Sequence, residues 1–201
     1  MMYPKLTIVD TGPTAEPITL IDAKEQLRID HSDHDIMING LIQAAREQVE
    51  AMCGRAIIQQ TRIAYFDQWP DKVFNLLYPE IQSIAHIKYT NSAGTQTEYS
   101  SDNYSLDPGS EPGRVVLGHN KTWPSATLNN EDYPIEIKYI CGYAPDDSGE
   151  STNYTANVPE RIKLVLKMLV ESMYGGMHEG YAKYRDDAIH NMLTQYRVWR
   201  K

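Results

Sequence analysis

His31, Asp33, His34 and Asp35 crowd into five residues. Imidazoles beside carboxylates are donor types that a divalent metal accepts. His31, Asp33 and His34 are therefore the candidate metal ligands of the chain, and a small metal-binding protein or metal-dependent enzyme is the chemistry they would serve. A local reading competes with it and is preferred. Acidic residues complement the positive end of a helix, and histidine is common on surfaces, so no metal is expected.

Other catalytic arrangements find less support. No G-x-S-x-G elbow occurs. Ser110 sits in Gly109-Ser110-Glu111-Pro112-Gly113, which reads as a turn and lacks the Lys-Ser/Thr ending of a phosphate loop. His86 falls in a strand and His119 at a strand end, with no partner indicated. Asp186-Asp187 fits the acidic first turn of a helix better than a general acid/base pair. Cys53 and Cys141 form no C-x-x-C pair and read as small core residues in a reducing compartment. No catalytic residue and no cofactor are assigned, and the chain is expected not to be an enzyme.

The elements that would position these residues begin with a pair of helices. Thr19, with Asp22 three residues later, makes an acidic capping box at the start of the first helix, which ends by Asp30. The His31–Asp35 corner follows, with Ser32 as the expected N-cap of the second helix. Ile38, Leu41, Ile42, Ala45, Val49, Met52 and Cys53 form the apolar stripe of that helix, and Gln43, Arg46, Glu47 and Glu50 its polar face. Gly54 supplies the stop. So short a corner predicts an antiparallel hairpin.

After Gly54 the hydrophobic period falls to two. Strands are predicted over 57–65, 73–77, 84–90, 99–106, 113–118 and 135–143, with Pro and Gly turns between them. A polar loop leads to a third helix that opens at Val158-Pro159, carries the stripe Ile162, Val165, Leu166, Leu169, Val170 and Met173, and ends at Gly175-Gly176. After a loop from Met177 to Tyr184, one more helical pattern runs from Asp186 to Trp199.

The fold class expected is α+β: an N-terminal antiparallel helix hairpin plus C-terminal helices forming a small bundle, with an inserted antiparallel β-sheet or sandwich. The domain reading is an extended arm (1–17), a helical core (18–56 and 158–176), an inserted β-rich region (57–143), a polar loop (144–157) and a C-terminal tail with a short helix (177–201).

Composition narrows the function classes. The 201 residues are 41% hydrophobic and 23% charged, which is globular. A net charge of −8 disfavours an autonomous nucleic-acid binder, because such proteins release counterions with a basic surplus. A nucleic-acid-binding regulator stays as an alternative. Tyrosine, at 14 against 2 Phe, suits half-buried strands and interfaces. The opening MMYPKLTIVD does not read as a signal peptide, and Ile162–Val170, broken by Lys163 and Lys167, is too short to span a bilayer, so no membrane is expected.

A family resemblance supplies what spacing does not. The run I-T-L-I-D-A-K-E-Q-L-R-I-D, then D-H-D, L-I-Q-A-A-R-E-Q-V-E and C-G-R-A-I-I-Q-Q-T, between Thr19 and Thr61, resembles the tailed-phage head–tail connector (adaptor) family, the gp6-like or phiE125 gp8-like proteins of phages and prophages. Tyr133–Tyr143 and the helix from Val158-Pro159 through Tyr174 are similar to it as well. The resemblance implies a structural adaptor that forms a ring, a dodecamer in the virion, below the portal protein. The ring extends the DNA channel and offers a surface to the next tail or stopper protein, and DNA passes through without specific binding. It implies a virion location at the head–tail interface, with assembly in the host cytoplasm. Compact members are almost wholly helical, so the strands between the second and third helices mark a departure. A ring subunit of this kind needs a segment that reaches the portal, and the amphipathic, basic tail supplies the candidates Tyr196, Arg197, Trp199 and Arg200.

Overall fold

The computed structural model describes residues 2–129, 133–175 and 179–198. In chain order the elements are β1 (Leu6–Thr11), α1 (Leu20–Leu27), α2 (Asp35–Cys53), β2 (Gln60–Phe66), β3 (Val73–Leu76), β4 (Ile81–Thr90), β5 (Gln96–Tyr99), β6 (Tyr104–Asp107), β7 (Gly113–Leu117), β8 (Ile135–Cys141), α3 (Glu160–Gly175) and α4 (Glu179–Leu193). The chain forms two compact units, one of residues 1–13, 59–142 and 198–201, the other of 14–58 and 143–197.

The expected architecture of an antiparallel helix hairpin plus a small bundle is not the one observed. The mixture of helix and strand holds, but the described chain has four helices and eight strands in two antiparallel sheets. The physical reason begins at Arg28. It adopts φ 57° and closes α1 after eight residues, too short for one arm of a hairpin. The residues read as an arm also join a sheet, since β1 pairs antiparallel with β2.

In the strand-rich unit, five strands run in the order β1-β2-β8-β4-β5 and three in the order β3-β7-β6. β8 alternates buried Ile135, Ile137, Tyr139 and Cys141 with half-buried Glu136, Lys138 and Ile140, as its period of two requires. β2 buries Gln60, Arg62, Ala64 and Phe66, and the Arg62 guanidinium stacks 3.7 Å from the Tyr78 ring centroid. Burial holds the Tyr139 hydroxyl far above its ordinary pKa, and it donates to the Leu77 carbonyl at 2.9 Å. Trp69, Phe74, Tyr89, Tyr99 and Trp123 meet in one aromatic cluster. The strand predicted over 99–106 is two strands, broken by a 3-10 turn at Ser101–Asn103 that Ser100 caps.

In the helical unit, α1 starts on the expected capping box. Thr19 Oγ1 accepts the Asp22 N–H at 3.0 Å, and the Asp22 carboxylate accepts the Thr19 N–H at 2.9 Å. α2 does not use Ser32 as a side-chain cap. Its N-cap is His34, which makes no capping side-chain bond, while the Ser32 carbonyl accepts the Asp35 N–H. Ala23, Ile38, Ile42, Ala45, Val49, Ile57, Ile58, Ile162, Val165, Leu166, Leu169, Val170, Ile189 and Leu193 are buried in one apolar cluster. α4 begins at Glu179, well before the predicted start at Asp186, and so takes over part of the predicted loop.

Candidate functional site

The His31–Asp35 corner does not converge on a centre. His31 Nδ1 lies 3.7 Å from an Asp33 carboxylate oxygen, both well exposed. His34 Nδ1 instead hydrogen-bonds the Tyr174 hydroxyl at the end of α3. Asp35 accepts from the Lys24 ammonium at 2.8 Å. The four groups thus have three different occupations, and the result is a clasp between the corner, α1 and α3. Among the described residues, no three His, Cys, Asp or Glu side chains gather as a metal set.

The other singled-out polar residues also serve local structure. Ser110 Oγ donates to Asp107 at 2.8 Å, and Arg114 Nη2 pairs with the same carboxylate at 2.6 Å. Hydrogen bonds from Arg114, then Ser110, hold the Asp107 carboxyl below its ordinary pKa, which closes the turn between β6 and β7. His86 Nε2 meets Glu136 at 3.0 Å across the sheet. Asp186 pairs with Arg185. Cys53 and Cys141 are both buried and neither is in a disulfide, and burial pushes the Cys53 pKa up.

The C-terminal candidates divide in two. Tyr196 is half-buried against the helical core, and its carbonyl accepts from Arg55 Nε at 3.2 Å. The Arg197 guanidinium lies against the His190 ring, 3.2 Å from Nδ1. Trp199 and Arg200 lie outside the described residues.

The residues that sequence reasoning placed wrongly are Arg46 and Glu50. Assigned to the polar face of α2, they are buried. Arg46 Nε donates to Glu16 at 2.8 Å, and its Nη1 lies 3.4 Å from Glu50. Burial works to lower the Arg46 pKa, but the hydrogen bond and charge of Glu16, with Glu50 and Glu47, outweigh it and hold it above its ordinary value. Glu50 Oε1 accepts the Ile57 N–H at 2.8 Å, and its carbonyl accepts the N–H groups of Gly54 and Arg55. Gly54 takes φ 64°, the left-handed conformation of a helix C-cap. Arg55, also buried, stacks 6.0 Å from the Tyr143 ring centroid. The C-G-R-A-I stretch is thus the corner where α2 stops and the chain turns toward β2. The i to i+4 pairing of Arg46 with Glu50, just before the Gly stop, was the available signal.

Among the described residues, no helix is long and apolar enough to cross a membrane. What the helical unit does offer is exposed apolar surface. Ile21 is 70% exposed, Ile36 91% and Met37 47%.

The fold is similar to that of a chain in the virion of a native gene transfer agent particle, with a TM-score of 0.77 at 14% identity, covering 98% of this chain and 97% of that one. It is similar to chains in the neck of an empty gene transfer agent particle computed with C6 symmetry (TM-score 0.75, 15% identity, covering 98% and 97%). The neck of the native particle computed with C12 symmetry gives a TM-score of 0.72 at 14% identity, with the same coverage. At such identities the likeness is one of fold. No curated protein matches the chain in sequence. Residues 17–108, which take in α1, α2 and β2 through β6, match the family described as phage gp6-like head-tail connector protein. The match therefore runs beyond Thr61 into the strands. Over residues 17–108, this chain is therefore similar to the phage gp6-like head-tail connector family.

Proposed function

We propose that this protein is a structural head–tail connector, an adaptor subunit of the neck of a tailed-phage or gene-transfer-agent-type particle. The observation that carries the reading is the family match over 17–108. The likeness in fold over 98% of the chain to a protein of a particle neck computed with C12 symmetry supports it. The subunit works as one of a ring, a dodecamer, in the neck of the virion, with the portal protein on one side and the next tail or stopper protein on the other. Assembly takes place in the host cytoplasm. DNA passes through the ring without specific binding, for which a chain of net charge −8 is suited, since it offers no surplus of cations to hold phosphates. The C-terminal segment meets the portal through Tyr196, Arg197, Trp199 and Arg200. Arg55, bonded to the Tyr196 carbonyl, sets the point from which that segment departs.

The test is to mix the protein with its cognate portal and image the mixture by negative stain. The expected outcome is a ring seated coaxially on the portal. A chain that stays a free monomer in the presence of assembled portal overturns the reading. Removal of residues 198–201 is expected to weaken portal binding at least tenfold, with thermal unfolding of the shortened chain as the control for folding.

A further inference from the structure

We propose that the outward face of α2, built on Ile36, Met37, Gly40, Ala44 and Ala51, is the surface on which a neighbouring copy of this chain packs. The inference rests on the ring reading above and names one of its contact surfaces. Ile36 and Met37 are 91% and 47% exposed, and Gly40, Ala44 and Ala51 continue the same face at spacings of three, four and seven along the helix. An exposed isoleucine at the first turn of a helix gains nothing for the fold, since the α2 core stripe is already filled by Ile38, Ile42, Ala45 and Val49. Ile21, 70% exposed, extends the apolar surface from α1, one turn before Lys24, whose ammonium holds Asp35 beside Ile36.

Gly40 is the second observation. A Cβ built on it meets nothing within 4 Å, and its φ lies in the ordinary helical range. Nothing inside the molecule requires a glycine there, while glycine in a helix interior disfavours the helix. Small residues on a helix face do allow a second helix to approach closely.

Charge selects the occupant. Copies of a chain with net charge −8 repel one another, and a face where charge is sparse adds least to that repulsion. Along this face the one charged side chain is Glu47, which accepts from Gln43 at 2.9 Å and lies 3.8 Å from Arg46. A nucleic acid or an anionic membrane would ask for cations, and this face presents none to solvent. In a closed ring each copy contributes two different patches, so the α2 face meets another part of its neighbour rather than its own twin.

The test compares the full-length protein with Gly40→Gln and Ile36→Glu by sedimentation velocity over a rising concentration series, with portal binding measured in parallel. The expected result is self-association of the wild type, weakened at least tenfold in both variants. Gly40→Gln should unfold at a temperature no lower than the wild type, which separates assembly from folding. Variants that associate like the wild type overturn the inference, as does a wild type that never self-associates. It also fails if the variants self-associate normally but lose portal binding, for then the face belongs to the portal. A wild type that self-associates but does not bind the portal counts against the connector reading and leaves this surface standing.

Discussion

Glu50 shows how much a single side chain can organise. One carboxylate oxygen takes the Ile57 N–H and the other faces the Arg46 guanidinium, at a place where water is excluded. Replacing it with alanine strands a buried backbone donor and leaves Arg46 to Glu16 and, at 3.8 Å, the exposed Glu47. Glu50→Ala is therefore expected to lower the unfolding free energy by about 3–5 kcal/mol, measured by urea denaturation. A loss below about 1 kcal/mol would mean that water or another group replaces both contacts. In the sequence this carboxylate looked like surface, because charged residues are rarely buried unless paired. The pairing was legible only as an i to i+4 coincidence, and Glu16, the third member, comes from a stretch with no periodicity at all. The His31–Asp35 corner is the reverse case: its residue types suggested a shared centre, and the structure sends His34 to Tyr174 and Asp35 to Lys24. Local spacing cannot show which partner arrives from a distant element.

At the scale of elements, the capping box of α1 was legible because it is a local motif. Thr19→Ala removes the acceptor of the Asp22 N–H and should destabilise the chain by about 1 kcal/mol. The same box carries a pH signature. The hydrogen bond from Thr19, outweighing partial burial, holds the Asp22 carboxyl below its ordinary pKa. A group depressed in the folded state adds stability above the unfolded carboxylate pKa and loses it as pH falls through the folded value. The gap in stability between wild type and Asp22→Asn should therefore narrow on acidification through and below the carboxylate range, followed by denaturant titrations at several pH values. A gap that does not change with pH would mean that the carboxylate charge contributes nothing. Strand tightness adds a second check. A Cβ on Gly113 of β7 would overlap the Ile81 side chain, so Gly113→Ala should lower the melting temperature even though β7 keeps its backbone pairing. The strand periods in β2 and β8 were visible in the sequence. The direction of β2 was not, since its inward face carries Gln60 and Arg62 while Ile63 and Tyr65 stay half-exposed.

At the scale of the molecule, the helices and strands were largely legible as elements, and their assembly was not. A period of two announces a strand without naming its neighbour, and the recruitment of β1 beside β2 joins residues far apart in the chain. The closure of α1 by a left-handed arginine also lacks the usual glycine signal. One feature of the connectivity is nonetheless testable. The chain leaves the helical unit after Ile58 and returns at Tyr143, and these two residues form a parallel bridge, with the Tyr143 N–H donating to the Ile57 carbonyl at 3.3 Å. Bridged residues of this kind stand about 5 Å apart but run in the same direction, so a linker that joins them must double back and takes about a dozen residues. The buried members of the helical core cluster all come from residues 18–58 and 143–193. Joining 14–58 to 143–197 through a flexible Gly-Ser linker of about a dozen residues should therefore give a chain of roughly 110 residues, large enough to hold a core of its own. It is expected to show a helical far-ultraviolet spectrum and one cooperative thermal transition. A broad transition with strong dye binding would instead mean that the helical unit cannot close its core without the strands, and that the two units fold as one.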